Sequence, residues 1–181
     1  MTDGTKGWFI AGGRRGDRTF AQQRNGLDRL FASVAGKTVL DVGCAEGLIA
    51  TALADAGARY VLGAEIVPGH VELARRLSGK RAVGFEVADA NVYEPPGPFD
   101  IVLMLAVLHK LQDPSESARR IGAAAQELCV VRLPPYGSTI VDSRSFNVPH
   151  DIEVALGEVG LRLDSEDRGP FDEWVGYFVR V

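Results

Sequence analysis

The chain is 181 residues long, 46% hydrophobic and 24% charged, with a formal net charge of −4. This balance suits one globular domain with a sizeable core and excludes a surface built throughout for nucleic acid. Two cysteines, Cys44 and Cys129, exclude a disulfide framework and lead us to expect a reduced, cytoplasmic setting; no run approaches the roughly 18 apolar residues of a membrane span.

The N-terminal arm is glycine-rich and carries Lys6, Arg14, Arg15, Arg18 and Arg24 against Asp3 and Asp17. It lacks the apolar core of a signal peptide. Phe20, Leu27, Leu30, Phe31 and Val34 then recur at helical spacing, which predicts one helix ending at Gly36. Residues 1–35 are thus read as an arm and helix, and 36–181 as the domain proper. Strand "KTVLDV", helix "GLIATALADAG", strand "YVLGAEIV", helix "PGHVELARRL" and strand "AVGFEVADA" follow in order. Beyond the breaker "EPPGP" lies strand "FDIVLMLAV". The next helix has a clear start, with Asp113 as cap, Pro114 in the first position and Glu116 three residues on. It leads to strand "ELCVVRL", and the irregular "PPYGSTIVDSRSFNVP" reads as a loop over a site. "LRLDSED" and "EWVGYFVRV" close the chain as two strands joined through "RGPFD". Near-continuous apolar strands alternating with helices predict a doubly wound α/β fold with a mostly parallel sheet, carrying an antiparallel hairpin at its edge.

In such sheets ligands sit at the carboxyl ends of the strands, near the reversal of strand order. The first strand–helix turn, "VLDVGCAEGLIA", is the place to look. A dinucleotide fingerprint would need glycines at positions 45 and 48, which are Ala45 and Leu48, and no Gly-Lys-Ser/Thr of a P-loop follows. Glu46 adds a carboxylate that pyrophosphate would repel. Phosphate is disfavoured. Instead Asp41, Glu65 and Asp89 fall at the ends of three consecutive strands, a row suited to cationic or hydrogen-bond-donating groups.

"VLDVGCAEG", "LGAEI", "VADA" and "FDIVLMLAVLHKL" together resemble motifs I to IV of the class I S-adenosylmethionine-dependent methyltransferases, over about Gly36 to Pro135. The resemblance implies a Rossmann-like seven-stranded sheet and S-adenosyl-L-methionine as cofactor, with no metal. It implies that Asp41 meets the methionine ammonium, and that Gly43, Cys44, Ala45 and Gly47 run beside the methionine and ribose. Glu65 would take the ribose hydroxyls, Ile66 and Leu105 would line the site, Asp89 would accept from the adenine amino group, and the Ala90 N–H would donate to the ring. Ala45 departs from the commoner glycine, with a minor effect expected. Trp8, Phe9, Arg18 and Gln22 of the arm are lid candidates.

The segment "AVLHKL" offers His109 as general base, an imidazole suited to taking a hydroxyl proton, against the alternative that it only packs at a strand end. "LPPYG" imitates the amine-binding motif of DNA amino-methyltransferases, but it lies one strand too late and starts with Leu133. Arg132 is expected to pair with a surface acid rather than hold an anionic acceptor, Cys44 to be packing rather than a nucleophile, and Trp174, Tyr177 and Phe178 to pack. The leading reading is a methyltransferase acting on a small molecule. An RNA- or protein-directed methyltransferase using the basic arm, and a non-catalytic cofactor-binding module, stay open; a nicotinamide oxidoreductase is distant, and the oligomeric state is not legible.

Overall fold

The structure, a computed structural model, describes residues 7–9, 16–135 and 149–181. Strands β1 (Gly7–Phe9) and β2 (Gly16–Arg18) form a small parallel pair, followed by helices α1 (Phe20–Arg24) and α2 (Asp28–Ser33). The alternating part then runs β3 (Thr38–Val42), α3 (Leu48–Asp55), β4 (Tyr60–Glu65), α4 (Pro68–Ser78) and β5 (Val83–Val87). It continues with β6 (Phe99–Leu105), α5 (Pro114–Gly122), β7 (Ala125–Leu133), α6 (Pro149–Gly157), β8 (Leu161–Arg168) and β9 (Trp174–Arg180).

The large sheet has seven strands in the order β5-β4-β3-β6-β7-β9-β8. Strands β3 to β7 pair in parallel, and β9 runs antiparallel to both β7 and β8. The expected doubly wound sheet is therefore present. The hairpin folds with its second strand inward, leaving β8 at the edge. Strand order reverses between β3 and β6, which opens the crevice that this topology offers to ligands.

Alternation along the strands builds one core on each face. Leu40, Val102, Cys129 and Phe178 face Ile121 of α5 and Leu156 of α6. Their neighbours Val39, Leu103, Val130 and Tyr177 face Leu30 of α2, Leu53 of α3 and Val71 of α4. Each such side chain stabilises the fold by about 1.5–3 kcal/mol. The expected packing roles of Trp174, Tyr177 and Phe178 hold, since all three are buried.

Three expectations need correction or completion. The single helix expected before Gly36 is two, because its middle carbonyls are taken elsewhere. Arg132 donates to Gln23 O and Asn25 O at 3.0 and 2.7 Å, and Tyr177 Oη donates to Gly26 O at 2.6 Å. A helix cannot continue through carbonyls turned toward another layer. Arg132, expected at the surface, is 1% exposed. Helix α6 starts at Pro149 and belongs to the core through Ile152, Ala155 and Leu156, an element the sequence reading passed over. Residues 136–148 of the expected loop lie outside the described residues. Asp113 caps α5 as expected, accepting from Glu116 N at 2.9 Å.

Candidate functional site

The carboxyl ends of β3, β4, β5 and β6 meet in one place, and hydrogen bonds join their loops. Gly43 N and Cys44 N donate to Ala64 O at 2.8 and 3.2 Å, and Gly47 N donates to Cys44 O at 2.9 Å. Ala45 N donates to Glu65 Oε2 at 2.9 Å. Four backbone donors of the turn are thus engaged within the protein, which leaves the loop fewer N–H groups to offer a phosphate. This agrees with the reading from the broken fingerprint.

Gly43 and Gly47 have φ of +78° and +74°. A Cβ on Gly43 would lie 2.8 Å from the Val107 side chain, and one on Gly47 would lie 2.5 Å from the Phe85 ring. Packing against the protein alone therefore demands both glycines. Ala45 is also left-handed, with φ of +50°, where an L residue costs about 1–2 kcal/mol. Ala106, in the loop after β6, shares this conformation at φ +56°. Two strained alanines at the mouth of one crevice mark a geometry held by its surroundings.

Asp41, the penultimate residue of β3, is 2% exposed, and its carboxylate makes no hydrogen bond or ion pair among the described residues. Burial first, then the charge of Glu65, push its pKa up to about 7, with Arg132 opposing the shift. The unfolded carboxyl titrates near 3.8, so the stability tied to protonated Asp41 is full below that value and is lost as pH rises through about 7. We expect Asp41→Asn to raise stability at pH 8 by about 2 kcal/mol and to change it little at pH 4. Urea midpoints at both pH values check this, and equal effects at the two would contradict it.

Glu65 is buried at the end of β4, where its Oε1 accepts from Val67 N at 2.9 Å as its Oε2 does from Ala45 N. One lone pair on each oxygen is left for another donor. Ile66 beside it is 54% exposed, an apolar face turned outward. Asp89 Oδ1 accepts from Asn91 N and Nδ2 at 2.9 and 2.8 Å, an arrangement that shapes its own loop. The N–H of Ala90 makes no backbone hydrogen bond among the described residues. Asn91 Oδ1 accepts from Gln112 N at 2.8 Å and so ties this loop to the one after β6.

Cys44 is buried with its Sγ over Gly63, and burial plus the charges of Asp41 and Glu65 push its thiol well above the usual range. It packs, as expected. Leu105 closes β6 half-buried, paired across to Arg132. His109 follows on a short 3-10 turn, Leu108–Lys110, with its Nδ1 buried and lacking a hydrogen-bond partner among the described residues. Burial, then the charges of Lys110 and Arg18, lower its pKa to about 4. Arg18 itself donates to Glu173 Oε1 at 2.7 Å, and Gln22 folds back to cap α1 through Thr19 N. The side chains of Trp8 and Phe9 lie outside those described.

The sequence reading missed Glu173 and His70. Glu173 is 2% exposed and bridges Arg18 and Arg132. Nothing in "FDEW" distinguishes it from a solvated turn acid.

The model of a methyltransferase domain family matches residues 16–134, more than half of the chain. The chain belongs to the class I S-adenosylmethionine-dependent methyltransferases. A ubiquinone biosynthesis O-methyltransferase of Pseudomonas paraeruginosa is 38% identical over 92 residues, 49% of this chain and 39% of that protein. A second protein of that name, from Thiobacillus denitrificans, is 39% identical over 89 residues, 46% of this chain and 38% of its own length. The match thus spans about two fifths of those relatives. Magnesium protoporphyrin IX methyltransferase from Synechocystis, solved with bound SAH, shares the fold with a TM-score of 0.71 at 22% identity, covering 89% of this chain and 84% of that one. Among the described residues, no helix is long and apolar enough to cross a membrane.

Proposed function

We propose that the chain transfers a methyl group from S-adenosylmethionine to a small organic acceptor. One observation carries this reading. An Asp41 carboxylate that is buried and has no hydrogen bond or ion pair among the described residues stands beside a turn with four of its backbone donors engaged, so the crevice favours a cation over a phosphate. S-adenosylmethionine is a phosphate-free ligand with an ammonium, a sulfonium and a ribose diol. The residues fit it: Asp41 for the ammonium, Glu65 for the diol, Asp89 Oδ2 and Ala90 N–H for the adenine edge, and Ile66 for its face.

The bound cofactor supplies a methyl carbon already activated by the sulfonium. The protein then has to align an acceptor atom in line with it, exclude water, and take a proton where the acceptor carries one. His109, neutral above about pH 4, is the proton acceptor in this reading. Arg18, joined to the β8–β9 turn through Glu173, is the lid contact. The names of the two sequence relatives and of the Synechocystis structure point to small organic acceptors and support that class here. The described cations of the arm, Arg18 and Arg24, pair with Glu173 and Asp28, which weakens the RNA-directed alternative.

The test is a methyl-transfer screen with labelled donor over metabolite and RNA pools. Label in the small-molecule fraction supports the proposal, label in RNA selects the alternative, and none despite cofactor binding selects a binding module. Alongside it, Glu65→Ala should weaken S-adenosylmethionine binding by about 1–3 kcal/mol. Asp89→Ala should cost less, because the adenine amino group is neutral. Calorimetry on the folded variants decides, and an unchanged dissociation constant for Glu65→Ala removes it from the site.

A further inference from the structure

His70 is 6% exposed, and among the described residues neither of its ring nitrogens has a hydrogen-bond partner. A buried imidazole always has one donor or acceptor per nitrogen, so two orphans on one ring are unusual in a folded protein. Its Nδ1 lies 3.9 Å from Glu65 Oε1, about 1 Å beyond a hydrogen bond. The local chain holds the two together. Glu65 Oε1 accepts from Val67 N at 2.9 Å, and Val67 O in turn accepts from His70 N at 3.0 Å in the first turn of α4. Residues 65, 67 and 70 thus form a small ring of contacts, open at the imidazole–carboxylate side.

We infer that His70 is a positioning residue for Glu65: its Nδ1–H closes onto Oε1 when the cofactor ribose engages the carboxylate. This rests on the proposed cofactor reading. The imidazole cannot touch the ligand itself, because both ring nitrogens are sealed from solvent. It acts through Glu65 alone. A carboxylate that already accepts from Ala45 N and Val67 N is held against rotation by a third donor from behind. The one lone pair then left, on Oε2, faces the diol without the entropy loss of orienting the carboxylate at each binding event. The contact also satisfies a buried donor that otherwise has no partner.

The experiment measures S-adenosylhomocysteine affinity by calorimetry for His70→Ala, Glu65→Ala and the double variant, with His70→Asn as the conservative replacement, since its amide can donate from near the Nδ1 position. We expect His70→Ala to bind about tenfold more weakly, the scale of one hydrogen bond to a charged group. His70→Asn should recover most of that loss, and in the Glu65→Ala background the His70 replacement should add nothing. A packing role would give the same loss in both backgrounds, and that result, or unchanged affinity of folded His70→Ala, overturns the inference. If His70→Ala does not fold, nitrogen NMR of the parent protein decides: a proton-bearing, hydrogen-bonded Nδ1 must appear on ligand addition, and its absence overturns the inference too. A parent protein that fails to bind S-adenosylhomocysteine sinks the cofactor reading itself, an outcome distinct from failure of the His70 variants alone.

Discussion

Glu173→Ala should lower folding stability by about 3–5 kcal/mol, the loss seen when one partner of a buried ion pair is removed. The Arg132 guanidinium is 1% exposed and keeps its carbonyl partners Gln23 and Asn25. Its countercharge would be gone, however, with Glu173 Oε2 now 3.5 Å from Nε. Arg18 would lose its 2.7 Å bond to Oε1 in the same step. Glu173→Gln, which keeps the shape but not the charge, should recover little. Urea denaturation gives both numbers, and a loss below about 1 kcal/mol would mean that the carbonyls alone satisfy Arg132.

His109→Ala should leave S-adenosylmethionine affinity unchanged and cut turnover by about 10²-fold, the lower end for a general base, since a base efficient at neutral pH needs a pKa nearer 7. Burial and the charges of Lys110 and Arg18 hold this imidazole near 4. In the parent enzyme the rate should therefore rise with pH through one ionisation near 4 and be flat through neutral pH, because only the neutral ring accepts a proton. Arg18→Ala removes one of the two charges and should move that ionisation upward. Single-turnover rates on one acceptor, measured from acid to neutral pH, check both statements. Normal turnover by folded His109→Ala would leave the histidine a packing residue and the acceptor a group that carries no proton to remove.

The parallel sheet was legible because each strand is a continuous apolar run between turn signals, and Asp41, Glu65 and Asp89 were legible because strand ends are where such runs stop. The break between α1 and α2 was not. Its cause lies in Arg132 and Tyr177, more than a hundred residues away, taking carbonyls that local periodicity assigns to one helix. Arg132 was misread for the same reason: an arginine near a strand end is ordinarily solvated, and only the fold brings Glu173 and two carbonyls to it. The reason for the glycines was half legible. The turn needed them, yet the neighbours that exclude a side chain, Val107 and Phe85, come from the loop after β6 and from β5. His70 lay in plain sight in "PGHVEL", but nothing in that helix start tells a buried imidazole from a solvated one.

The place of β9 has a consequence for how the protein is made. It is the last of the seven strands to leave the ribosome, yet it lies between two strands synthesised before it. Growing chains fold readily when each new piece docks on a finished surface, and here the piece that seals β7 to β8 arrives after both. Until then the apolar rim of β7 has no neighbour on that side, and Arg132 waits for Glu173, which lies one residue before β9. The nascent chain therefore carries an open sheet edge from the completion of β7 until β9 emerges, a state that invites pairing with other chains and that molecular chaperones commonly cover.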